Sequence, residues 1–120
     1  MKDGARASVA FIAGVIISGE NVDSVYDYSR SKYVNISGKA NGEKVDIYDY
    51  DEKCHISGDG RQGKYNLYHY GNRNHIELII TENKFEGYDY DTRKHYSGEV
   101  RDKSISFYDY ESSKYYDFSI

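Results

Sequence analysis

Tyrosine and histidine side chains recur at regular intervals along this chain of 120 residues, and they are the first candidates for binding chemistry. Pairs of tyrosines separated by one residue begin at positions 26, 48, 68, 88 and 108, so the steps are 22, 20, 20 and 20 residues. A phenol ring joins an apolar face to a polar tip, and such rings are enriched at contact surfaces. One interpretation is a contact surface, and the other is that these rings only stabilise a solvent-facing sheet through cross-strand contacts. The candidate contact residues are Tyr48, Tyr50, His55, Tyr68, Tyr70, His75, Tyr88, Tyr90, His95, Tyr108, Tyr110 and Tyr115.

Acidic residues between the paired tyrosines are the next candidates. They are Asp27, Asp49, Asp89 and Asp109. In the remaining pair His69 takes this place, as a variant of the repeat. Acid–base catalysis needs two carboxyl groups that converge on one substrate, whereas these groups are distributed one per repeat. We therefore expect Asp27, Asp89 and Asp109 to form ion pairs with the lysines opposite them at the rim of the fold, whereas Asp49 has no lysine opposite it.

The single cysteine, Cys54, would need a neighbouring base or cation to become a nucleophile. Asp49, which we place opposite it, would instead raise the pKa of the thiol. The chain has no phosphate-binding loop, zinc-ligand spacing, nucleophile elbow or dinucleotide fingerprint. We therefore expect no enzyme activity, no cofactor and no metal site.

The elements that must position these side chains follow from the repeat. Self-similarity at a fixed period indicates one supersecondary unit used repeatedly. Each unit contains two runs of alternating apolar and polar residues separated by turn residues, which is the pattern of a β-hairpin. Residues 21–120 therefore predict five hairpin repeats, and the single domain 1–120 is predicted to be all-β. We expect an antiparallel up-and-down meander of ten to eleven strands, curled into a barrel or half-barrel.

The hairpin register follows from the parity of the pattern. Turns centred on 51–52, 71–72, 91–92 and 111–112 place Tyr48 opposite His55 and Tyr108 opposite Tyr115. At the other end, Asn41-Gly42 is predicted as a two-residue turn. The residues predicted to form the core face are Val25, Val34, Ile36, Val45, Ile47, Cys54, Ile56, Tyr65, Leu67, Ile76, Leu78, Ile80, Phe85, Tyr96, Val100, Ile105, Phe107, Tyr116, Phe118 and Ile120.

The three histidines invite a metal hypothesis, and the same hairpin geometry argues against it. Successive members of the set His55, His75 and His95 lie two strands apart, which is roughly 10 Å at the usual strand spacing. Zinc requires ligand atoms about 2 Å from a shared centre. We therefore expect each histidine to pack against the tyrosine opposite it.

The apolar run near the N-terminus has two interpretations. Residues 7–20 are too short to span a bilayer as a helix, and they show no clear cleavage site for a signal peptide. We interpret this run as an additional strand that is buried on both faces. A targeting segment is the alternative, and the cellular compartment stays open.

Composition restricts the function to a few classes. The chain has 16 Lys and Arg against 20 Asp and Glu, which disfavours nucleic acid as a partner. The first hypothesis is a non-catalytic module that either binds a protein or carbohydrate partner or assembles with copies of itself into a homo-oligomer. The second is a small-molecule carrier barrel with an internal cavity. The third and least favoured hypothesis is an enzyme. An active site is a unique arrangement of side chains, whereas this chain consists of nearly equivalent units.

Overall fold

The computed structural model describes all 120 residues as one helix and ten strands. Helix α1 spans Asp3–Ser18 and precedes all of the strands. The strands are β1 Ser24–Asp27, β2 Lys32–Ala40, β3 Lys44–Asp49, β4 Cys54–Arg61, β5 Lys64–His69, β6 Asn74–Thr81, β7 Lys84–Asp89, β8 Lys94–Arg101, β9 Ser104–Asp109 and β10 Lys114–Ser119.

The ten strands form a closed antiparallel barrel in which each strand pairs with its neighbours in sequence and β1 pairs with β10. This confirms the predicted all-β meander. The predicted register is also confirmed, since Tyr48 pairs with His55 and Tyr108 pairs with Tyr115. One turn differs: Asn41 pairs with Lys44 through a backbone hydrogen bond of 3.0 Å, so the turn is centred on 42–43. The Asn41 side chain accepts hydrogen bonds from the N–H groups of residues 43 and 44 and closes this turn.

Successive hairpins are displaced along the strand direction, by two residues at three junctions and by four residues at the other two. Asp27 pairs with Lys32 within the first hairpin, and Ile36, four residues further on, pairs with Asp49 of the second hairpin. The seam that closes the barrel repeats this register, because Phe118 pairs with Asp27. A large stagger tilts the strands and widens a barrel. The interior is therefore wide enough to hold more than side chains.

Helix α1 occupies this interior, so the prediction of a strand over 7–20 is wrong. Every residue from Gly4 to Gly14 is buried, which means that all faces of this part of the helix are covered. A helix that is apolar on all sides lacks the periodic pattern that distinguishes helix from strand, and a short apolar run is ambiguous for this reason. The barrel also closes without another strand, which leaves no edge at which this segment could pair.

Local features explain where the helix ends and why it fits. Gly19 adopts the left-handed conformation at φ 74° and donates its N–H to the carbonyl of Val15 at 2.9 Å. Sixteen helical residues span about 24 Å, close to the 28–30 Å extent of the molecule. Small residues bring the helix close to the wall, and a Cβ atom on Gly14 would lie 2.8 Å from Ile105 Cδ1. No helix combines the length and apolar character that a membrane-spanning helix requires.

The predicted core face points into the barrel and packs against α1. All of its members are buried except Ile80, Tyr116 and Ile120, which are partly buried and pack against the same core. Glycines on this face lie where the wall is tightly coiled, and a Cβ atom on Gly58 would collide with the backbone carbonyl oxygen of Asn66. The polar residues of each alternating run lie on the outer face. The aromatic residues that were predicted to form a contact surface lie on this face and point towards solvent.

Candidate functional site

The candidate functional site is a band of aromatic side chains on the outer wall of the barrel. We define this aromatic band as the tyrosines and histidines next to the turns that follow β1, β3, β5, β7 and β9. The structure places all twelve predicted contact residues on this wall. Tyr26, Tyr28 and Tyr33 of the first hairpin complete the band and were not among the twelve. The three additional residues have the same spacing, so the repeat itself could have identified them.

Within each hairpin the first tyrosine contacts two neighbouring rings. Tyr68 contacts Tyr70 at a centroid distance of 4.9 Å and His75 at 5.0 Å, both in edge-to-face geometry. Tyr108 contacts Tyr110 at 4.8 Å and Tyr115 at 4.7 Å in the same way. Edge-to-face pairs at these distances are stabilising and fix the ring orientations. The predicted packing of each histidine against a tyrosine is therefore confirmed.

Exposure differs between positions of the band. The first tyrosine of each pair is half-buried, whereas the second is exposed, as in Tyr28 and Tyr50 at 56% each. The ring at the third position is more exposed still where it is a tyrosine, and Tyr115 reaches 72%. Large exposed aromatic surfaces usually mark contact sites. The exposed rings are held in place by the half-buried ones, so they present an ordered surface.

Closure of the barrel brings the first and last hairpins side by side. These two hairpins have tyrosine at the third position, whereas the other three have histidine. We name the resulting group the tyrosine sector. Its members are Tyr26, Tyr28, Tyr33, Tyr108, Tyr110 and Tyr115. The backbone N–H of Tyr28 donates to the carbonyl of Asp117 at 3.2 Å across the seam, which joins the two halves of the sector.

Two depressions in the outer wall adjoin the tyrosine sector. One is bordered by Tyr108, Tyr110 and Tyr115, and the other is bordered by Tyr28. They share Glu99 and Ser106, so they form one continuous groove across β8, β9 and β10. This groove is open to solvent, and a further depression lies beside it, bordered by Tyr88, His95 and Tyr110.

Hydroxyl groups of the band differ in their partners. Tyr90 donates to Glu77 at 2.9 Å, and this hydrogen bond, together with the nearby carboxylate charge, raises the pKa of Tyr90. The Ser37 hydroxyl donates to the Tyr50 oxygen at 3.2 Å. The hydroxyl groups of Tyr110 and Tyr115 form no hydrogen bond within the chain, so they are available to a ligand.

The aspartates between the paired tyrosines point into the barrel, so the prediction of rim ion pairs with lysine is wrong. Asp27, Asp49, Asp89 and Asp109 are buried together with His69, and we name these five residues the aspartate ring. Each lies opposite the first residue of the next strand as predicted, but the lysine side chains extend to the exposed surface. Directly paired residues share a face, but these pairs lie at the end of the barrel, where the long lysine side chain reaches solvent while the short aspartate is held inside by the N–H groups of the turn.

Each member of the aspartate ring holds the turn that follows it. The Oδ1 atom of Asp49 accepts hydrogen bonds from the N–H groups of Asp51 and Glu52 at 2.8 and 3.1 Å. Asp89 and Asp109 accept an equivalent bond at 3.0 Å each. Short acidic side chains favour this turn geometry. The aspartate of the repeated Tyr-Asp-Tyr motif is therefore explained by turn formation.

The second carboxylate oxygen of two ring members contacts helix α1. Asp49 Oδ2 accepts a hydrogen bond from the Ser8 hydroxyl at 2.8 Å, and Asp109 Oδ2 accepts one from the Arg6 guanidinium at 2.9 Å. Burial alone would raise the pKa of Asp109, but hydrogen bonds from Arg6, from the Glu111 N–H and from the Met1 amino group lower it. Burial raises the pKa of Asp89, which lacks such a cation. The ring surrounds the positive end of the helix dipole.

His69 and Cys54 are the remaining buried groups with potential chemistry. The His69 Nδ1 atom accepts the N–H of Asn72 at 3.0 Å, which places the imidazole proton on Nε2, 4.0 Å from the Cys54 sulfur. Burial lowers the pKa of His69 although Asp49 and Asp89 favour its charged form. Burial also raises the pKa of the Cys54 thiol, and Asp49 adds to this as predicted. A protonated Nε2 is no base for a protonated thiol, so this pair lacks an activated nucleophile.

Groups of three or more His, Cys, Asp and Glu side chains arranged to hold a metal ion are absent from the structure. The arrangement instead offers stacking by aromatic rings and hydrogen bonding by hydroxyl and carboxylate groups on an open surface. Comparisons with protein-family models, with curated proteins and with solved structures found no match.

Proposed function

We propose that this chain is a non-catalytic binding module whose contact surface is the aromatic band. The observation that carries the proposal is the ordered exposure of tyrosine rings around the barrel, each held by edge-to-face contact with a half-buried ring. Rigid aromatic side chains lose little entropy on binding, which favours contact through them. A protein or a carbohydrate fits this surface chemistry.

The barrel interior favours this function over that of a small-molecule carrier. A carrier needs an internal cavity for its ligand. In this chain helix α1 runs through the interior, and its residues Val9, Phe11 and Ile12 are buried against the wall. A ligand could enter only if the helix left, and departure of the helix would expose the entire core. Binding on the outer wall requires no such change.

The buried polar groups favour a non-catalytic role. The ring carboxylates are engaged by turn N–H groups, and two of them also contact α1. Paired carboxyl groups in an active site must instead converge on an open pocket.

A variant that removes four exposed rings tests the proposal. Tyr28, Tyr70, Tyr90 and Tyr110 are changed together to serine, and Lys44 and Lys64, on the outer wall at the other end, are changed to serine as a control. Binding to a printed glycan array and self-association measured by light scattering are compared with those of the unchanged chain. We expect the signal to be lost in the tyrosine variant and kept in the control. A signal that survives the loss of the four rings contradicts the proposal.

A further inference from the structure

We propose that the groove beside the tyrosine sector binds a neutral glycan chain, with Tyr28 and Tyr115 as stacking platforms. This inference rests on the proposed function and names the site and the ligand class within the band. The groove joins the two depressions that share Glu99 and Ser106, and it leads from the rings of the last hairpin to Tyr28 of the first. Its length therefore crosses the seam of the barrel.

The groove exists because small residues occupy the outer face of β8, β9 and β10. Ser106 pairs with Asp117 and Ser104 pairs with Ser119 on adjacent strands, and Ser97 lies on the next strand over. A further depression, between β6 and β8, carries the outward-facing Glu77 and Glu86 at the places where this groove has Ser97 and Ser106, so two carboxylates take the place of hydroxyl groups there. The serine hydroxyls form a floor that both donates and accepts hydrogen bonds.

The aromatic walls are exposed and fixed in orientation. Tyr28 is 56% exposed, and its hydroxyl lies 3.4 Å from the Ser119 hydroxyl oxygen. Tyr115 is 72% exposed and rests against the half-buried Tyr108. The apolar face of a sugar ring can stack on such a phenol ring, and its hydroxyl groups can reach the serines of the floor. Flat aromatic walls over a hydroxyl-rich floor fit a polyol better than an aliphatic ligand.

Charge selects among glycans. The groove is bordered by the carboxylates of Glu86, Glu99 and Asp117. The Arg101 guanidinium is paired with Glu99 at 3.0 Å, which leaves the Lys84 ammonium as the only other cation along the groove. An acidic glycan would meet repulsion here, whereas neutral hydroxyl groups can donate to the carboxylates.

The same charges disfavour a second copy of this chain as the occupant. A twofold contact through the groove would bring the same residues of two copies together. Glu86, Glu99 and Asp117 of one copy would then face their own equivalents, and like charges across an interface oppose association. A glycan without charge avoids this repulsion.

Affinity electrophoresis through gels that contain dextran, mannan, xylan, β-glucan or galactan tests the inference. We expect at least one of these neutral polysaccharides to retard the chain. Because no charge is paired, retardation should be insensitive to salt between about 50 and 500 mM, a range over which the Debye length changes about threefold. Changing Tyr28 and Tyr115 together to serine should weaken binding about tenfold or more. Changing Tyr50 and Tyr70 to serine, in hairpins outside the sector, is the matched control and should leave the affinity unchanged.

A second variant keeps the test valid if the tyrosine variant unfolds. Ser106→Tyr fills the floor of the groove and removes no ring, so it should abolish retardation while circular dichroism remains unchanged. If the sector variant and the control variant lose equal affinity, the groove is not the binding site. Glycan binding by the aromatic band as a whole would still be supported. If no polysaccharide retards the chain, the assignment of a glycan as the ligand is overturned. A light-scattering signal that depends on the four exposed rings would still support the proposed binding module. Retardation that disappears at high salt would show that charged groups, and not stacking and neutral hydroxyl groups, carry the binding, and would overturn the inference.

Discussion

Arg6 of the helix donates a hydrogen bond to Asp109 of the barrel wall at 2.9 Å, inside the protein, where the two side chains are 4% and 1% exposed. The same guanidinium lies 3.6 Å from the centroid of the Tyr116 ring and donates to Asp3 at 2.8 Å. The pair joins the first element of the chain to its last hairpin. It therefore fixes the position of α1 along the barrel axis.

Arg6→Met should destabilise the fold strongly. The change leaves Asp109 buried without its cation, and breaking a buried pair in this way costs about 3–5 kcal/mol. Lys2→Met is the control, because Lys2 is 62% exposed and its contact with Asp91 at 3.3 Å is worth at most about 1 kcal/mol. Urea denaturation of both variants measures the difference. Similar losses in the two variants would mean that the buried pair does not anchor the helix.

Asp109→Asn and Asp89→Asn should have opposite effects at pH 7. The pKa of Asp109 is lowered by its partners, so its charged form stabilises the fold above the ordinary carboxyl value of about 3.9. This contribution is lost as the pH falls through the lower pKa of the folded state. The pKa of Asp89 is raised by burial, so its charge is unfavourable at neutral pH. We expect Asp109→Asn to lower the free energy of unfolding and Asp89→Asn to keep or raise it.

The measurement for these two variants is thermal or urea unfolding between pH 3 and pH 7. The difference between the unchanged chain and Asp109→Asn should shrink as the pH approaches the acid limit, since the carboxylate is then protonated in both folded and unfolded chains. A loss of stability in Asp89→Asn as large as that in Asp109→Asn would contradict the assigned difference between the two carboxylates.

His69 should make the fold sensitive to mild acid. Burial lowers the pKa of His69, so the unfolded chain binds a proton from about pH 6.5 downward while the folded chain does not. Stability therefore falls as the pH decreases from about 6.5 towards the lower pKa of the folded state. The His69→Asn variant keeps an acceptor for the turn and should lose this slope. The His75→Asn variant, on the outer face, controls for the loss of one histidine, and a slope that persists in His69→Asn would assign the acid sensitivity to other groups.

Gly58→Ala should be costly, and Gly42→Ala should not. A Cβ atom on Gly58 would collide with the backbone oxygen of Asn66 on the neighbouring strand, so the wall itself must shift. Overpacking of this kind typically costs about 1–3 kcal/mol. A Cβ atom on Gly42 would meet no atom within 4 Å, and the change should lie within about 0.5 kcal/mol of the original stability. Equal midpoints for the two variants in chemical denaturation would argue that the barrel tolerates a wider spacing at residue 58.

Much of the barrel could be predicted from the sequence because the alternation of apolar and polar residues that determines it lies within each hairpin and recurs in every repeat. The alternation around Tyr48 and His55 determines both the register and the face of each residue. The helix could not be predicted in this way, since Val9, Phe11 and Ile12 are covered on all sides and so carry no periodic signal. Ala-rich and Gly-containing composition over 4–14 was the available indication of a helix packed closely against its surroundings.

The aspartate ring and the tyrosine sector depend on contacts that no single repeat contains. Asp109 was expected opposite Lys114 at the surface, and its true partner is Arg6, 103 residues away in the chain. Tyr28 and Asp117 meet only because the barrel closes, and closure itself depends on the stagger between hairpins. Pairing within hairpins can be predicted from parity, whereas the stagger is decided by how the wall packs around the helix.

The displacement between hairpins limits how many repeats this protein can contain. Open solenoid arrays can gain or lose a unit, since each unit contacts only its neighbours. Here the last hairpin must meet the first in a fixed register around a helix about 10–12 Å across. An eight-stranded wall would enclose about enough room for side chains alone, and the helix would be expelled. Duplication or deletion of one 20-residue unit should therefore yield a different fold, so the copy number of the repeat is set by the diameter of the segment it encloses.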